Sequence, residues 1–133
     1  MKEEERYILF RVNQEYGLHL IEDKYEYNRF DAENKSYIAE IKDRHKYYPK
    51  TMIEFDKYSY NTQYAKLVDK NFIYIVRVDG QIYIFNITDL NYQNYDYKWS
   101  WVTMSKQTEF SDNRKMKKLV GFIDLNRNKG TFK

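Results

Sequence analysis

The residues best suited to chemistry lie between Phe30 and Lys42. Tyr37-Ile38-Ala39-Glu40-Ile41-Lys42 reads as a strand. Side chains alternate faces along a strand, so Ile38, Glu40 and Lys42 share one face and Tyr37, Ala39 and Ile41 the other. Glu40 and Lys42 then stand roughly 7 Å apart along the strand and point the same way. Asp31 closes another strand-like run, Tyr25-Glu26-Tyr27-Asn28-Arg29-Phe30. If the two runs pair through the turn-like Glu33-Asn34-Lys35, the Asp31 carboxylate comes beside that of Glu40. Two hard carboxylates suit Mg²⁺, which keeps several waters for a phosphate and a nucleophile. Such a metal acidifies water and neutralises charge on a phosphate, and the neighbouring lysine can orient the water. The chemistry is that of phosphodiester cleavage.

Several elements must position these groups. Residues 3–16 predict a helix with Ile8, Leu9, Val12 and Tyr16 on its apolar stripe, ended by Gly17. Glu3 and Glu4 favour the positive end of the helix dipole, whereas Glu5 sits on the stripe itself. Residues 18–31 and 36–43 are expected to be strands. In the first, Tyr25, Tyr27, Arg29 and Asp31 share a face. Asp31 could equally be a turn residue, in Asp-Ala-Glu-Asn. Residues 43–50 form a basic, aromatic loop in which Arg44, Lys46 and Lys50 can clamp phosphates and Tyr47 and Tyr48 can stack on bases. A second helix is expected over 51–69, capped by Thr51, with the stripe Ile53, Tyr60, Tyr64, Leu67 and Val68. Lys57 falls on that stripe, either snorkelling or aimed at the site. Asp79-Gly80 between two apolar runs, Phe72 to Val78 and Gln81 to Ile87, is a strong signal for a two-residue hairpin. Residues 88–104 read as irregular, 119–125 as a strand, and the tail from Asn126 as loose.

The tripeptide alone is common in a chain rich in Glu, Asp and Lys. Glu22-Asp23-Lys24 and Asp96-Tyr97-Lys98 also match it. Only Glu40-Ile41-Lys42 has the order helix, strand with Asp, strand with Glu-x-Lys, helix, hairpin. Asp31 followed by Glu40-Ile41-Lys42 resembles the signature of the PD-(D/E)xK nuclease superfamily. With the run Tyr48 to Lys57 and the hairpin Phe72 to Ile87, the chain is similar to its small phage and viral members. The similarity runs from about residue 5 to 90, with an echo at Thr108-Glu109-Phe110 and Lys117 to Leu125. Phe30 replaces the family's Pro before the Asp and leaves the carboxylate in place.

The resemblance implies an α+β (α/β) fold with a restriction-endonuclease-like core. In it, helices flank a central mixed sheet of about four to five strands, in the order α-β-β-α-β-β plus a C-terminal strand. Residues 1–133 would form one nuclease-like domain, with a C-terminal extension from about 88. It implies Mg²⁺, with Mn²⁺ as substitute, held by Asp31, Glu40 and the backbone carbonyl of Ile41, with Lys42 positioning the attacking water. It gives Glu5 a place at the metal, with Glu4 and Glu15 as rivals, and aims Lys57 at the site. The implied substrate is DNA, bound by Arg44, Lys46, Lys50 and Lys57.

Composition is compatible with this reading. At 133 residues, 42% hydrophobic and 32% charged, the chain suits one soluble domain with a real core. The absence of cysteine excludes disulfides, thiolate metal sites and a thiol nucleophile. A net charge of +3 permits nucleic-acid binding without arguing for it. No secretory or transmembrane run is present, so a cytoplasmic location is expected, in a host cell or virion if viral. Fifteen Tyr beside many Asn and Lys suggest AT-rich coding, as in a phage or virus. Expected partners are DNA and a second copy or a viral protein, with no membrane and no small organic cofactor. The alternative is a catalytically inactive protein of the same fold, a DNA-binding or assembly subunit using its Tyr- and Trp-rich C-terminal half. A third reading is an unrelated α+β binding domain, in which Asp31 and Glu40 would lie far apart.

Overall fold

The computed structural model describes residues 1–25, 27–105 and 115–133. Glu26 and the echo at Thr108-Glu109-Phe110 lie outside the described residues. The fold is α+β. Helix α1 (Glu3–Tyr16) is followed by short strands β1 (Ile21–Glu22) and β2 (Ala32–Glu33), then by β3 (Tyr37–Arg44), β4 (Lys50–Glu54) and α2 (Phe55–Leu67). The hairpin strands β5 (Asn71–Val78) and β6 (Gln81–Asn86) lead to α3 (Ile87–Tyr92), β7 (Ser100–Ser105), β8 (Lys115–Asp124) and β9 (Gly130–Phe132).

Two sheets form. The larger has the order β1-β2-β3-β5-β6-β9, and the smaller β4-β8-β7. In the larger sheet β3 and β5 are parallel and every other pair is antiparallel. A parallel pair needs a crossover, supplied here by β4 and α2. The register sets Ile38 against Phe72, Glu40 against Tyr74 and Lys42 against Val76. Strand alternation then sorts the core. Ile8, Leu9 and Val12 of α1 pack on Ala39, Ile41, Ile73 and Ile75. Ile38, Phe72, Tyr74 and Val76 on the opposite face pack on Ala65 of α2, Ile53 of β4 and Ile123 of β8. Among the described residues, no helix is long and apolar enough to cross a membrane.

Several expectations hold. The first helix spans 3–16 and ends at Gly17 in the left-handed region. The hairpin turns at Asp79 and Gly80, both with positive φ, as a type I′ turn requires. Ile87, however, opens α3 rather than ending β6.

Other expectations fail for long-range reasons. Tyr25 and residues 27–30 are not strand. Among the described residues no strand lies alongside them, and Tyr27 is 90% exposed. Residues 51–54 are strand, not helix, because β8 pairs with them from Lys50↔Asp124 to Glu54↔Val120. Thr51 is therefore no N-cap; Glu54 holds that position. The expected α2 stripe is also displaced. Leu67 is 81% exposed, and the buried positions of the helix are Asn61 and Ala65. The segment 88–104 is irregular only over 93–99, since α3 and β7 hold the rest. The tail is not loose: β9 pairs with β6, extending the sheet to six strands rather than four or five.

Gly121 of β8 is required by close approach. A Cβ there would lie 2.8 Å from Tyr97 Cβ and 2.9 Å from the Trp99 ring. Gly121→Ala should destabilise the fold by about 1–3 kcal/mol through overpacking, measured as a lower urea midpoint. An unchanged midpoint would mean that the aromatic layer yields.

Candidate active site

The ladder between β2 and β3 ends at Ala32↔Ala39. Beyond it the Asp31 N–H donates to the Ala39 carbonyl at 2.8 Å. The Asp31 side chain takes over where main-chain pairing stops: its Oδ2 accepts the Ile41 N–H at 2.7 Å. In a regular strand the N–H and C=O of one residue face the same edge. The Ile41 carbonyl is therefore turned toward the edge that β2 has vacated. Asp31 is held from behind as well. Phe30 is buried and stacks on Tyr64 of α2, and Asn61 Nδ2 donates to the Arg29 carbonyl at 3.2 Å. Phe30, standing where the resembled family has Pro, thus anchors the approach to Asp31 by packing.

Glu40 is the most unusual residue in the structure. It is 2% exposed, its Oε2 is buried without a hydrogen-bond partner, and its Oε1 lies 3.5 Å from Lys57 Nζ. That contact is at the outer limit of a hydrogen bond. A carboxylate so poorly solvated is costly to ionise. Burial, then the charge of Asp31, pushes the Glu40 carboxyl up to about 8, against the opposing pull of Lys57 and Lys42. Asp31 is likewise raised, first by burial, against its hydrogen bond from Ile41, with Glu5 adding repulsion. The two carboxyls are thus close enough for the charge on one to hinder ionisation of the other.

Lys42 is half-buried, and its charge acts on Asp31, Glu40 and Glu54. Among the described residues it makes no hydrogen bond or ion pair of its own within 4.0 Å. Lys57, at the first turn of α2, points to Glu40. Glu5 accepts the Lys2 N–H at the start of α1 and acts on Asp31, whereas Glu4 acts on Arg77 and Glu15 is exposed. Among the described residues no group of three His, Cys, Asp or Glu side chains is gathered to hold a metal. Mg²⁺ sites commonly use only one or two carboxylates with waters and phosphate. Asp31, Glu40 with its orphan oxygen, and the Ile41 carbonyl are hard oxygen donors of that kind.

The proposed nucleic-acid residues are divided. Lys57 belongs to the carboxylate cluster. Arg44 is half-buried, and its Nη2 donates to the Met52 carbonyl at 3.2 Å, tying β3 to β4. Lys46 and Lys50 are exposed, the first over the Tyr48 ring and the second 3.9 Å from Asp124. Two residues were not singled out from sequence. Glu54 of β4 accepts a 2.8 Å bond from Lys118 of β8, and its carboxyl ends below its usual range because Lys118, Lys42 and Lys57 outweigh burial. The signal was present only as an acid in the run Tyr48 to Lys57 and a lysine in the stretch Lys117 to Leu125.

The competing tripeptides are engaged elsewhere. Glu22 forms a two-pronged pair with Arg6 at 3.1 Å, and Asp96 accepts the Lys98 N–H. Comparison of the chain with protein-family models and with curated proteins gives no match.

The raised Glu40 carboxyl has a signed consequence. Between pH 4.5 and about 8 the folded chain keeps a proton that the unfolded chain has released. Its stabilising effect is complete below pH 4.5 and is lost as pH rises toward 8. In EDTA, the wild type should lose roughly 1–4 kcal/mol across that window, and Glu40→Gln should flatten the loss. Parallel wild-type and Glu40→Gln profiles, from denaturant melts at several pH values, would remove Glu40 as the source.

Proposed function

We propose that this protein is a metal-dependent endonuclease that cleaves DNA phosphodiester bonds, on a restriction-endonuclease-like core. The order α1, β2, β3, α2, β5, β6, with β3 and β5 parallel, supports that core, and β4 is an insertion into it. The observation that carries the activity is the unpartnered Glu40 Oε2 beside Asp31, with Lys42 unpaired among the described residues. A Mg²⁺ or Mn²⁺ ion held by Asp31, Glu40 and the Ile41 carbonyl, supported by Glu5, would supply charge neutralisation at the phosphate and a more acidic water. Lys42 Nζ, which makes no hydrogen bond or ion pair among the described residues, orients the attacking water or holds a phosphate oxygen. Lys57 offsets the charge of Glu40 when its proton is lost. The Glu54–Lys118 pair fixes an acid whose charge interacts with Lys42. The same reading places the protein in a host cytoplasm or virion, alone, as a homodimer or with a viral partner.

A second reading is favoured by the absence of a three-ligand cluster among the described residues and by Trp101, 67% exposed on the edge strand β7. It is an inactive protein of the same fold that binds DNA or joins an assembly through its C-terminal half.

A nicking assay separates the two. Supercoiled plasmid and single-stranded DNA are incubated with Mg²⁺, Mn²⁺ or EDTA. Wild type should cleave only with metal. Asp31→Ala/Glu40→Ala should lose at least about 100-fold in rate, and Lys42→Ala should lose rate more than metal affinity. Mg²⁺ should also raise the melting temperature more at pH 8 than at pH 5.5, because binding must displace the Glu40 proton. No cleavage and no metal-dependent shift, with folding intact, would leave the inactive reading.

A further inference from the structure

A second concavity lies at the turn between β3 and β4, with a volume of about 420 Å³. Three cationic side chains, Arg44, Lys46 and Lys50, line it. The rest of its wall is apolar, made by Pro49, Met52, Val78 and Phe122, with the half-exposed Tyr48 ring among the lining residues. A cationic rim around an apolar wall is a site for an anion joined to an apolar group. The volume falls in the range of small-ligand pockets.

The chemistry that satisfies all of these features is a phosphate joined to a flat ring. The phosphate meets the cations, and the ring lies against Pro49, Met52 and Phe122 beside Tyr48, one face of which Lys46 covers. Position relates this cavity to the carboxylates. Glu40, Lys42 and Arg44 lie on one face of β3, so Arg44 stands about 13 Å from Glu40 along the strand. That is the span of a short piece of extended polynucleotide.

We propose that this cavity binds one nucleotide of the DNA strand whose backbone meets Asp31 and Glu40, with its base turned out of the stack. The proposal rests on the nuclease reading above and deepens it: the substrate is single-stranded or locally unpaired DNA, since a base held in continuous duplex cannot enter the slot.

The test measures binding of a fluorescent single-stranded oligonucleotide to the full chain in EDTA, where no cleavage occurs. An oligonucleotide of the same length made of abasic sugar-phosphate should bind about tenfold more weakly, the scale of one or two stacked bases. Lys46→Ala/Lys50→Ala, both exposed positions, should weaken the normal strand by a similar factor and shrink the difference between the normal and abasic strands. Equal affinity of the two strands would overturn the proposal. So would a free mononucleotide that binds as tightly as the strand, which would make the cavity a free-nucleotide site. The outcomes separate from those of the nicking assay. Base-dependent binding without cleavage would support the cavity and remove the nuclease; cleavage with no base dependence would remove only the cavity.

Discussion

Strand β3 is buried on both faces yet carries Glu40, and the rest of the structure is arranged around that conflict. β3 pairs with β5 from Tyr37 to Arg44 on one edge and with β2 at Ile38 and Ala39 on the other. α1 covers the face of Ala39 and Ile41, and α2 with the smaller sheet covers the face of Ile38 and Glu40. A strand so enclosed ordinarily reads as apolar throughout. The exception at Glu40 is tolerated because β2 stops early. Where a third residue of β2 would have paired, the Asp31 carboxylate accepts the Ile41 N–H. One hydrogen bond thus satisfies the backbone of β3 and fixes an acid beside the buried one.

Charge balance explains why the cluster does not destabilise the fold outright. Asp31, Glu40 and Glu54 share a neighbourhood with Lys42, Lys57 and Lys118. The distribution is uneven. Glu54 and Lys118 form a close pair at 2.8 Å, and Asp31 has its backbone donor. Among the described residues Glu40 has only the long contact to Lys57. The least satisfied acid and the least engaged base, Glu40 and Lys42, therefore stand two residues apart on the same strand face. That is an arrangement able to receive a cation on one side and an anion on the other.

Much of the site was legible in local sequence. Period-two alternation alone put Glu40 and Lys42 on one face, and the turn-like Glu33-Asn34-Lys35 was enough to bring Asp31 back toward Glu40. Helix α1 and the Asp79-Gly80 hairpin were equally local signals. What failed depended on a distant partner. Lys50–Glu54 looked like the first turn of a helix because nothing nearby indicates that β8, some 70 residues on, pairs with it. Tyr25–Phe30 looked like a strand because its aromatics suit one, but Phe30 is used against Tyr64 and, among the described residues, no strand lies alongside. The role of Glu54 was hidden for the same reason, since Lys118 reaches it only through the β4–β8 ladder.

By itself the amino-acid sequence determined which residues share a face, where the short-range turns fall, and that an acid, an acid and a lysine come in that order along two adjacent segments. These follow from alternation and turn geometry, which act over a few residues. Tertiary structure alone decided how deeply Glu40 is buried, which lysines surround it, and that the basic loop after β3 closes over a cavity. Burial and electrostatic field are set by what packs against a side chain from far along the chain. The elements that enclose Glu40 and the cavity — α2, β5 and β8 — are joined to β3 only by folding.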